Sequence, residues 1–235
     1  MTLAELRAAL RQVAEPERAV FMARYLRTEP GGYGEGDMLL GVRVPETRRV
    51  ARRALRAKLP LDETLQLLRS EVHEERLLAL VVMVERHKRG QAEERRAIYD
   101  AYLAHTAYVN NWDLVDASAP EIVGGELLDG PPDVVDRLAA SPSVWERRIA
   151  LLATFRFIRA GRLDDTYRLA ELLLHDEHDL IHKGAGWMLR EAGARDEPRL
   201  VAFLDRHAPA MPRTMLRYAL ENVAPDERAR LMARR

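Results

Sequence analysis

Three stretches of the chain decide its fold class: HEERLLALVVMVERHKRG at residues 73–90, VWERRIALLATFRFIRAG at 144–161 and DLIHKGAGWMLREAGA at 179–194. In each stretch, apolar side chains recur three and four positions apart, as Leu77, Leu80 and Val84 do in the first. This spacing predicts α-helices with a wide buried face. The stretches start 71 and 35 residues apart, which is consistent with a repeat of about 35 residues that is skipped once.

The same periodicity predicts helices along the rest of the chain, with proline-containing breaks between them. The predicted helices are 2–14, 15–27, 45–58, 61–70, 73–89, 91–106, 111–118, 120–129, 132–140, 143–160, 163–175, 178–194, 197–208, 211–222 and 225–233. The predicted breaks lie at Pro60, Pro120, Pro131–Pro132, Pro142, Pro198, Pro209 and Pro225. Strand patterns are nearly absent, and TEPGGYGEGDMLLGVR at 28–43 is the one long irregular stretch. We therefore predict an all-α fold: a single domain over residues 1–235, built as a right-handed solenoid of HEAT-like antiparallel helix pairs with a concave binding face.

Composition narrows the function classes. Apolar residues make up 47% of the 235 and charged residues 31%, which is typical of a globular protein. The 37 basic and 37 acidic residues cancel, so no overall positive field favours nucleic acid. The chain has no cysteine, which excludes disulfides, thiolate nucleophiles and Cys-based metal sites. No signal peptide or apolar run of about 18 residues is present, so we expect a cytoplasmic protein without a membrane partner.

Each of the three tryptophans has a charged residue at helical spacing. Trp112 and Asp116, in NNWDLVD, are four positions apart and share one helix face. Trp145 precedes Arg148 by three positions, and Trp187 precedes Arg190 by three. Indole planes beside guanidinium groups suit stacking on bases or sugars and pairing with phosphate. The alternative is that each tryptophan packs between helices and that its charged neighbour is a cap or a solvated side chain.

A basic run, RVPETRRVARRALRAK at residues 43–58, is the best local candidate for phosphate contacts. Arg48, Arg52 and Arg56 form one row at four-residue spacing, and Glu46 is the one acidic residue of the run. A solvated helix face is the alternative interpretation.

Metal binding has weaker support. His178 and His182 have metal-ligand spacing on a helix, but a helix N-terminal turn is the favoured interpretation of that segment. His73-Glu74 is the only His-Glu pair in the chain.

Five segments, in order, resemble the AlkD family of DNA alkylation repair glycosylases: Met22–Tyr25 (MARY), Gly41–Arg48 (GVRVPETR), Trp112–Asp116 (WDLVD), Trp145–Arg148 (WERR) and Gly186–Glu191 (GWMLRE). The resemblance implies that Asp116 is the catalytic carboxylate and that Trp112 and Trp187 are the aromatic walls of the cleft. It also implies that a basic concave face binds DNA. Together with the basic run, it gives these expected DNA-binding residues: Tyr25, Arg43, Arg48, Arg52, Arg148 and Arg190.

The resemblance also implies a reaction: removal of cationic alkylpurines, such as 3-methyladenine and 7-methylguanine, from duplex DNA without a cofactor or a metal. Such a base leaves as a neutral molecule, so no general acid is needed. Positive charge moves to the deoxyribose, where a carboxylate can stabilise the oxocarbenium ion and position water. We expect a monomer that acts on double-stranded DNA with alkylated bases and is associated with the nucleoid in the cytoplasm.

Two other classes of function remain open from the sequence. One is a non-catalytic HEAT-repeat binder of branched or single-stranded DNA, and the other is a protein-interaction scaffold. The glycine-rich loop GGYGEGD at residues 31–37 is longer than expected for the best-known branch of the family. That loop and the neutral net charge are the two departures that bear on substrate choice.

Overall fold

In the computed structural model, which describes residues 1–130 and 133–234, the chain is almost entirely helical. Within those residues there is no β-strand, and one isolated parallel bridge joins Met38 to Val72. A short 3-10 turn covers Thr106–Tyr108. The α-helices are α1 Leu3–Arg11, α2 Pro16–Tyr25, α3 Val44–Arg56, α4 Leu61–Leu68, α5 His73–Arg89, α6 Ala92–Ala104, α7 Trp112–Glu126, α8 Asp133–Ala139, α9 Val144–Arg159, α10 Asp164–Leu172, α11 Asp179–Gly193, α12 Glu197–His207, α13 Arg213–Ala219 and α14 Pro225–Ala233.

The predicted all-α fold class is confirmed. Helices α5, α9 and α11 begin at His73, Val144 and Asp179, where the three quoted stretches begin. Helix α7 begins between the first two of them, at Trp112, and occupies the place of the skipped repeat. The predicted break at Pro131–Pro132 and the first residue of the helix predicted at 132–140 lie outside the described residues.

The predicted break at Pro120 is wrong, because α7 runs through this proline as one helix. A proline inside a helix loses one backbone hydrogen bond and costs about 3 kcal/mol. Here the helix also buries the apolar side chains of Leu114, Val115, Ile122 and Val123, each fully shielded from solvent. Each such side chain contributes roughly 1.5–3 kcal/mol, so burial outweighs the cost of the proline.

The chain divides into two compact units, Met1–Ser118 and Ala119–Arg235, with the boundary inside α7. In the first unit, α1, α3, α4 and α6 pack against α5. In the second unit, α9, α10, α12 and α13 pack against α11. The prediction of a single domain stays a prediction.

The central helix of the first unit is buried on almost every side. Twelve of the 17 residues of α5 are buried, including the four charged residues of its first turn, His73 to Arg76. Charged side chains are rarely buried unless they are paired, so this turn must have partners elsewhere in the unit. No helix of the described residues combines the length and the apolar character that crossing a membrane requires.

Candidate functional site

The first unit brings together three of the predicted site residues, Tyr25, Trp112 and Asp116. Trp112 is the first residue of α7 and is half-buried. The ring of Tyr25, which is 56% exposed, stands edge-on to the indole with the ring centroids 5.4 Å apart at an interplanar angle of 90°. Asp116 follows one turn later on the same face of α7 and is also only partly buried. An indole and a carboxylate are therefore presented side by side at the surface of this unit.

Asn111 fixes the start of α7. It is fully buried, its side-chain amide donates to the carbonyl oxygen of Leu26 over 3.1 Å, and its oxygen accepts from the N–H of Trp112 over 2.9 Å. Gly34, in the glycine-rich loop, packs against this junction. A Cβ at Gly34 would lie 2.5 Å from the Leu26 oxygen and 2.8 Å from the Asn111 side-chain nitrogen. The loop therefore requires glycine at this position in order to approach Asn111.

A second contact to α7 passes through the buried His73. Its Nδ1 lies 2.9 Å from a carboxylate oxygen of Asp37, at the end of the glycine-rich loop, and its Nε2 lies 2.8 Å from one of Asp113. Burial by itself would lower the pKa of His73, but the bonds to Asp113 and Asp37 outweigh it and raise this pKa to about 9. Burial would raise the pKa of Asp37, but His73 and Arg76 outweigh it and lower that pKa. At neutral pH the site therefore holds an imidazolium between two carboxylates.

Glu74 anchors the segment that follows the glycine-rich loop. Its carboxylate is 4% exposed and accepts three backbone hydrogen bonds, from Leu40 at 3.0 Å, Gly41 at 2.8 Å and Val42 at 3.2 Å. His73 and Glu74 are not among the site residues predicted from the sequence. One feature of the sequence could have indicated them: a run of charged residues stands at the start of a strongly apolar helix. Charged side chains in a buried helix need specific partners.

Asp116 also influences a buried tyrosine of the first unit. The hydroxyl of the buried Tyr102 lies 3.0 Å from that of Ser118, which in turn donates to the carbonyl oxygen of Leu114 over 2.6 Å. Burial first, and then the negative charge of Asp116, raises the pKa of Tyr102. The Asp116 carboxylate is therefore close enough to Tyr102 of α6 to act on its pKa, although burial has the larger effect.

In the second unit, Trp187 and Arg190 lie on α11 and share a partner. The indole Nε1 of Trp187 donates to Glu191 over 3.0 Å, and Arg190 donates to the same carboxylate oxygen over 3.0 Å. Arg190 also pairs with Glu221. Trp187 is half-buried, and its ring centroid lies 5.9 Å from that of Phe155. Phe155 is not among the site residues predicted from the sequence.

Arg148 is placed differently from the other predicted DNA-binding arginines. It is 4% exposed, and its Nη1 donates to the carbonyl oxygen of Leu180 over 2.5 Å, close to the start of α11. Trp145, on the same helix, is buried. Part of the Arg148 guanidinium thus bonds within the protein, and its contact with DNA phosphate stays a prediction.

The basic run forms α3 and keeps its arginines at the surface. Arg48 and Arg52 are exposed, while the buried residues of α3 are Thr47, Val50, Ala51 and Ala54. Arg43, which precedes the helix, is exposed and forms a two-point pair with Glu15, over 2.8 and 3.0 Å. A DNA phosphate would have to compete with Glu15 for Arg43, whereas α3 itself presents a row of guanidinium groups.

The histidines with metal-ligand spacing have other roles in this structure. The Nδ1 of His178 accepts from the N–H of Leu180 over 3.1 Å and caps α11, as a helix N-terminal turn predicts. The Nε2 of His182 bonds to the carbonyl oxygen of Asp176. Among the described residues, no group of three or more His, Asp or Glu side chains could hold a metal ion.

Two comparisons with known proteins agree with this fold and a third finds no relative. The sequence model described as "DNA alkylation repair enzyme" matches residues 6–223. A solved structure, a predicted DNA alkylation repair enzyme from Enterococcus faecalis, is similar in fold with a TM-score of 0.72 at 19% identity, covering 90% of this chain and 97% of that chain. No curated protein sequence matches the chain significantly. Because the family match spans nearly the whole chain, this protein belongs to the DNA alkylation repair enzyme family.

Proposed function

We propose that the protein is a DNA glycosylase that hydrolyses the N-glycosidic bond of cationic alkylated purines in duplex DNA. Membership of the family supports a role in the repair of alkylated DNA. The finer proposal rests on one observation, the side-by-side presentation of Trp112 and Asp116 on α7 with the exposed ring of Tyr25 against the indole. A pure scaffold would bury this tryptophan, as Trp145 is buried.

The reaction needs a negative charge near the sugar and an aromatic surface beside it. As the bond from C1′ to the purine nitrogen breaks, its electron pair goes to the base, which leaves neutral. The deoxyribose becomes an oxocarbenium ion, which the Asp116 carboxylate would stabilise electrostatically. Water then adds its oxygen to C1′ and loses a proton. The indole of Trp112 would add cation–π stabilisation, and no step requires a metal or a cofactor.

DNA would be held mainly through phosphate. The exposed Arg48 and Arg52 on α3 are the proposed contacts of the first unit. In the second unit, Trp187 is the proposed second aromatic residue, and Arg148 and Arg190 are proposed phosphate ligands. Each phosphate that is neutralised releases counterions, so binding should weaken as salt rises.

The proposal is tested by measuring release of 7-methylguanine and 3-methyladenine from methylated duplex DNA under single-turnover conditions. We expect release by the wild type and a rate constant at least about 100-fold lower for Asp116→Asn, the size of effect seen when one electrostatic stabiliser is removed. Asp100→Asn is the matched control, because Asp100 is an exposed aspartate of the same unit that pairs with Arg96. Its rate constant should equal that of the wild type.

The possible outcomes separate the candidate functions. Equal rates for wild type and Asp116→Asn would remove Asp116 from the mechanism. If the folded wild type binds duplex or branched DNA but releases no base, the protein is a binding protein and the glycosylase proposal fails.

A further inference from the structure

Both ring nitrogens of His73 meet carboxylates that come from other parts of the first unit. The Nδ1 contact to Asp37 reaches the glycine-rich loop, and the Nε2 contact to Asp113 reaches the first turn of α7. An imidazole donates from both nitrogens only when it is protonated. The imidazolium therefore joins α5, the loop and α7 through two charge-assisted hydrogen bonds.

The charged groups around His73 are largely engaged with one another. Arg76 pairs with Asp37 at 2.5 Å. Asp113 and Asp37 raise the pKa of the imidazole, and the positive charge of Arg76 lowers it. The neighbouring acids of α5 have other partners: Glu74 binds amides of the segment that follows the glycine-rich loop, and Glu75 pairs with Arg7 of α1 at 2.9 Å. The side chains of His73 and Asp37 are only 3% and 4% exposed. The Asp113 side chain is 21% exposed, so solvent screens the contact with Asp37 weakly and the contact with Asp113 somewhat more.

We propose that His73 is a positioning residue of the catalytic site, whose imidazolium holds the start of α7, and with it Trp112 and Asp116, against the glycine-rich loop. Asp113 is the residue next to Trp112 in the first turn of α7, so a change in its anchoring should reach the indole through the helix backbone. A displacement of about 1 Å at a catalytic group can cost roughly 100-fold in rate. The catalytic consequence of this anchoring rests on the proposed glycosylase function, whereas the anchoring of α7 itself does not.

Loss of the His73 proton should release one of the two contacts. A neutral imidazole donates from a single nitrogen, so either Asp37 or Asp113 would face a ring nitrogen that cannot donate to it. Two carboxylates oppose this loss, which is why burial does not lower the pKa of His73 and the value is about 9. The anchoring of α7 should therefore weaken as the pH rises through this value.

The first test uses NMR on the free wild-type protein between pH 6 and 10.5. The imidazole resonances of His73 should titrate near pH 9, and the indole N–H resonance of Trp112 should shift with the same midpoint. In Asp37→Asn, which removes one carboxylate, both midpoints should move together to lower pH. A Trp112 resonance that does not follow His73 would overturn the proposal, and this test needs neither DNA nor catalysis.

The second test measures single-turnover base release as a function of pH, with uncatalysed release subtracted. We expect the wild-type rate constant to fall above pH 9, and His73→Gln to be about 10- to 100-fold slower with no such fall. Affinity for undamaged DNA should change less than about twofold. The control is His87→Gln, since His87 is a buried histidine of the same helix, about four turns away.

The two proposals fail in different ways. If the wild type releases no base but Trp112 follows the titration of His73, the glycosylase proposal fails and the anchoring of α7 stands. If base release is normal and neither the pH profile nor Trp112 depends on His73, the positioning role fails. Because the wild-type titration needs no substitution, the result does not depend on the folding of His73→Gln.

Discussion

Replacing Glu74 by glutamine should destabilise the first unit by about 2–4 kcal/mol. One carboxylate oxygen accepts from Gly41 and Val42, and the other accepts from Leu40. In Glu74→Gln the side-chain amide keeps one oxygen as an acceptor. Its NH2 group replaces the other oxygen and cannot accept a hydrogen bond, so at least one backbone N–H loses its partner. A backbone donor left unsatisfied in a buried site costs about 1–3 kcal/mol.

The two remaining bonds lose their charge assistance, at roughly 1 kcal/mol each. Removing a buried charge recovers part of its desolvation cost, which is why the expected total is below the sum of these losses. Because the three amides belong to the segment that follows the glycine-rich loop, the effect should be concentrated there. The substitution should loosen this segment before it unfolds the rest of the unit.

Urea unfolding followed by circular dichroism gives the change in free energy, and hydrogen exchange locates it. The amides of Leu40, Gly41 and Val42 should lose protection first. The matched control is Glu71→Gln, because Glu71 is an exposed glutamate three residues earlier, and it should change stability by less than about 0.5 kcal/mol. A loss of the same small size for Glu74→Gln, with unchanged exchange at the three amides, would refute the role of this carboxylate as the anchor of that segment.

Three further predictions concern pH, packing and DNA. The pKa of His73 is raised from 6.5 to about 9 on folding, so its stabilisation of about 3 kcal/mol is complete below pH 6.5 and is lost as the pH rises through 9. Urea unfolding from pH 6 to 10 should show this loss in the wild type, and a loss of equal size in His73→Gln would contradict it. Gly186→Ala should lower the free energy of unfolding by about 1–3 kcal/mol or more, because a Cβ there would lie 2.5 Å from the backbone oxygen of Met215 and 2.5 Å from the Cβ of Tyr218. An unchanged thermal unfolding temperature would contradict this prediction. Arg52→Ala should reduce the slope of log K against log salt for duplex DNA by about 0.9, and an unchanged slope would exclude a phosphate contact at Arg52.

Helix positions could be predicted from the sequence because a helix with one buried face has apolar residues three and four positions apart within a short segment. The apolar spacing of α5, α9 and α11 is strong enough to place their starts: α5 begins at the predicted residue, and α9 and α11 begin one residue after the predicted starts at 143 and 178. The failure at Pro120 has the opposite origin. Local propensity predicts a break there, whereas the structure buries the apolar side chains on both sides of the proline, and that burial is a tertiary effect.

In the candidate site, too, the local features could be predicted from the sequence and the long-range contacts could not. The pair of Trp112 and Asp116 is visible in the sequence because both residues lie within one helical turn. The contacts that hold the pair are not local: His73 reaches Asp37 and Asp113 across 36 and 40 residues. No periodicity encodes such separations, and only the unusual charge at the start of an apolar helix hints at them.

The neutral net charge argued against nucleic acid in the sequence, and the structure shows why this total is a weak guide. The electrostatic field at a bound DNA depends mainly on solvent-exposed charges that lie within about 8 Å of it, the distance over which salt screens charges. Glu74 and Glu75 count fully in the total, yet both are buried and bonded to groups inside the unit. Helix α3, in contrast, exposes five arginines against the single acidic residue Glu46. A basic surface can therefore exist on a neutral chain, because the acidic residues that balance the arginines of α3 lie on other elements, and one of them, Glu74, is buried against the segment that follows the glycine-rich loop.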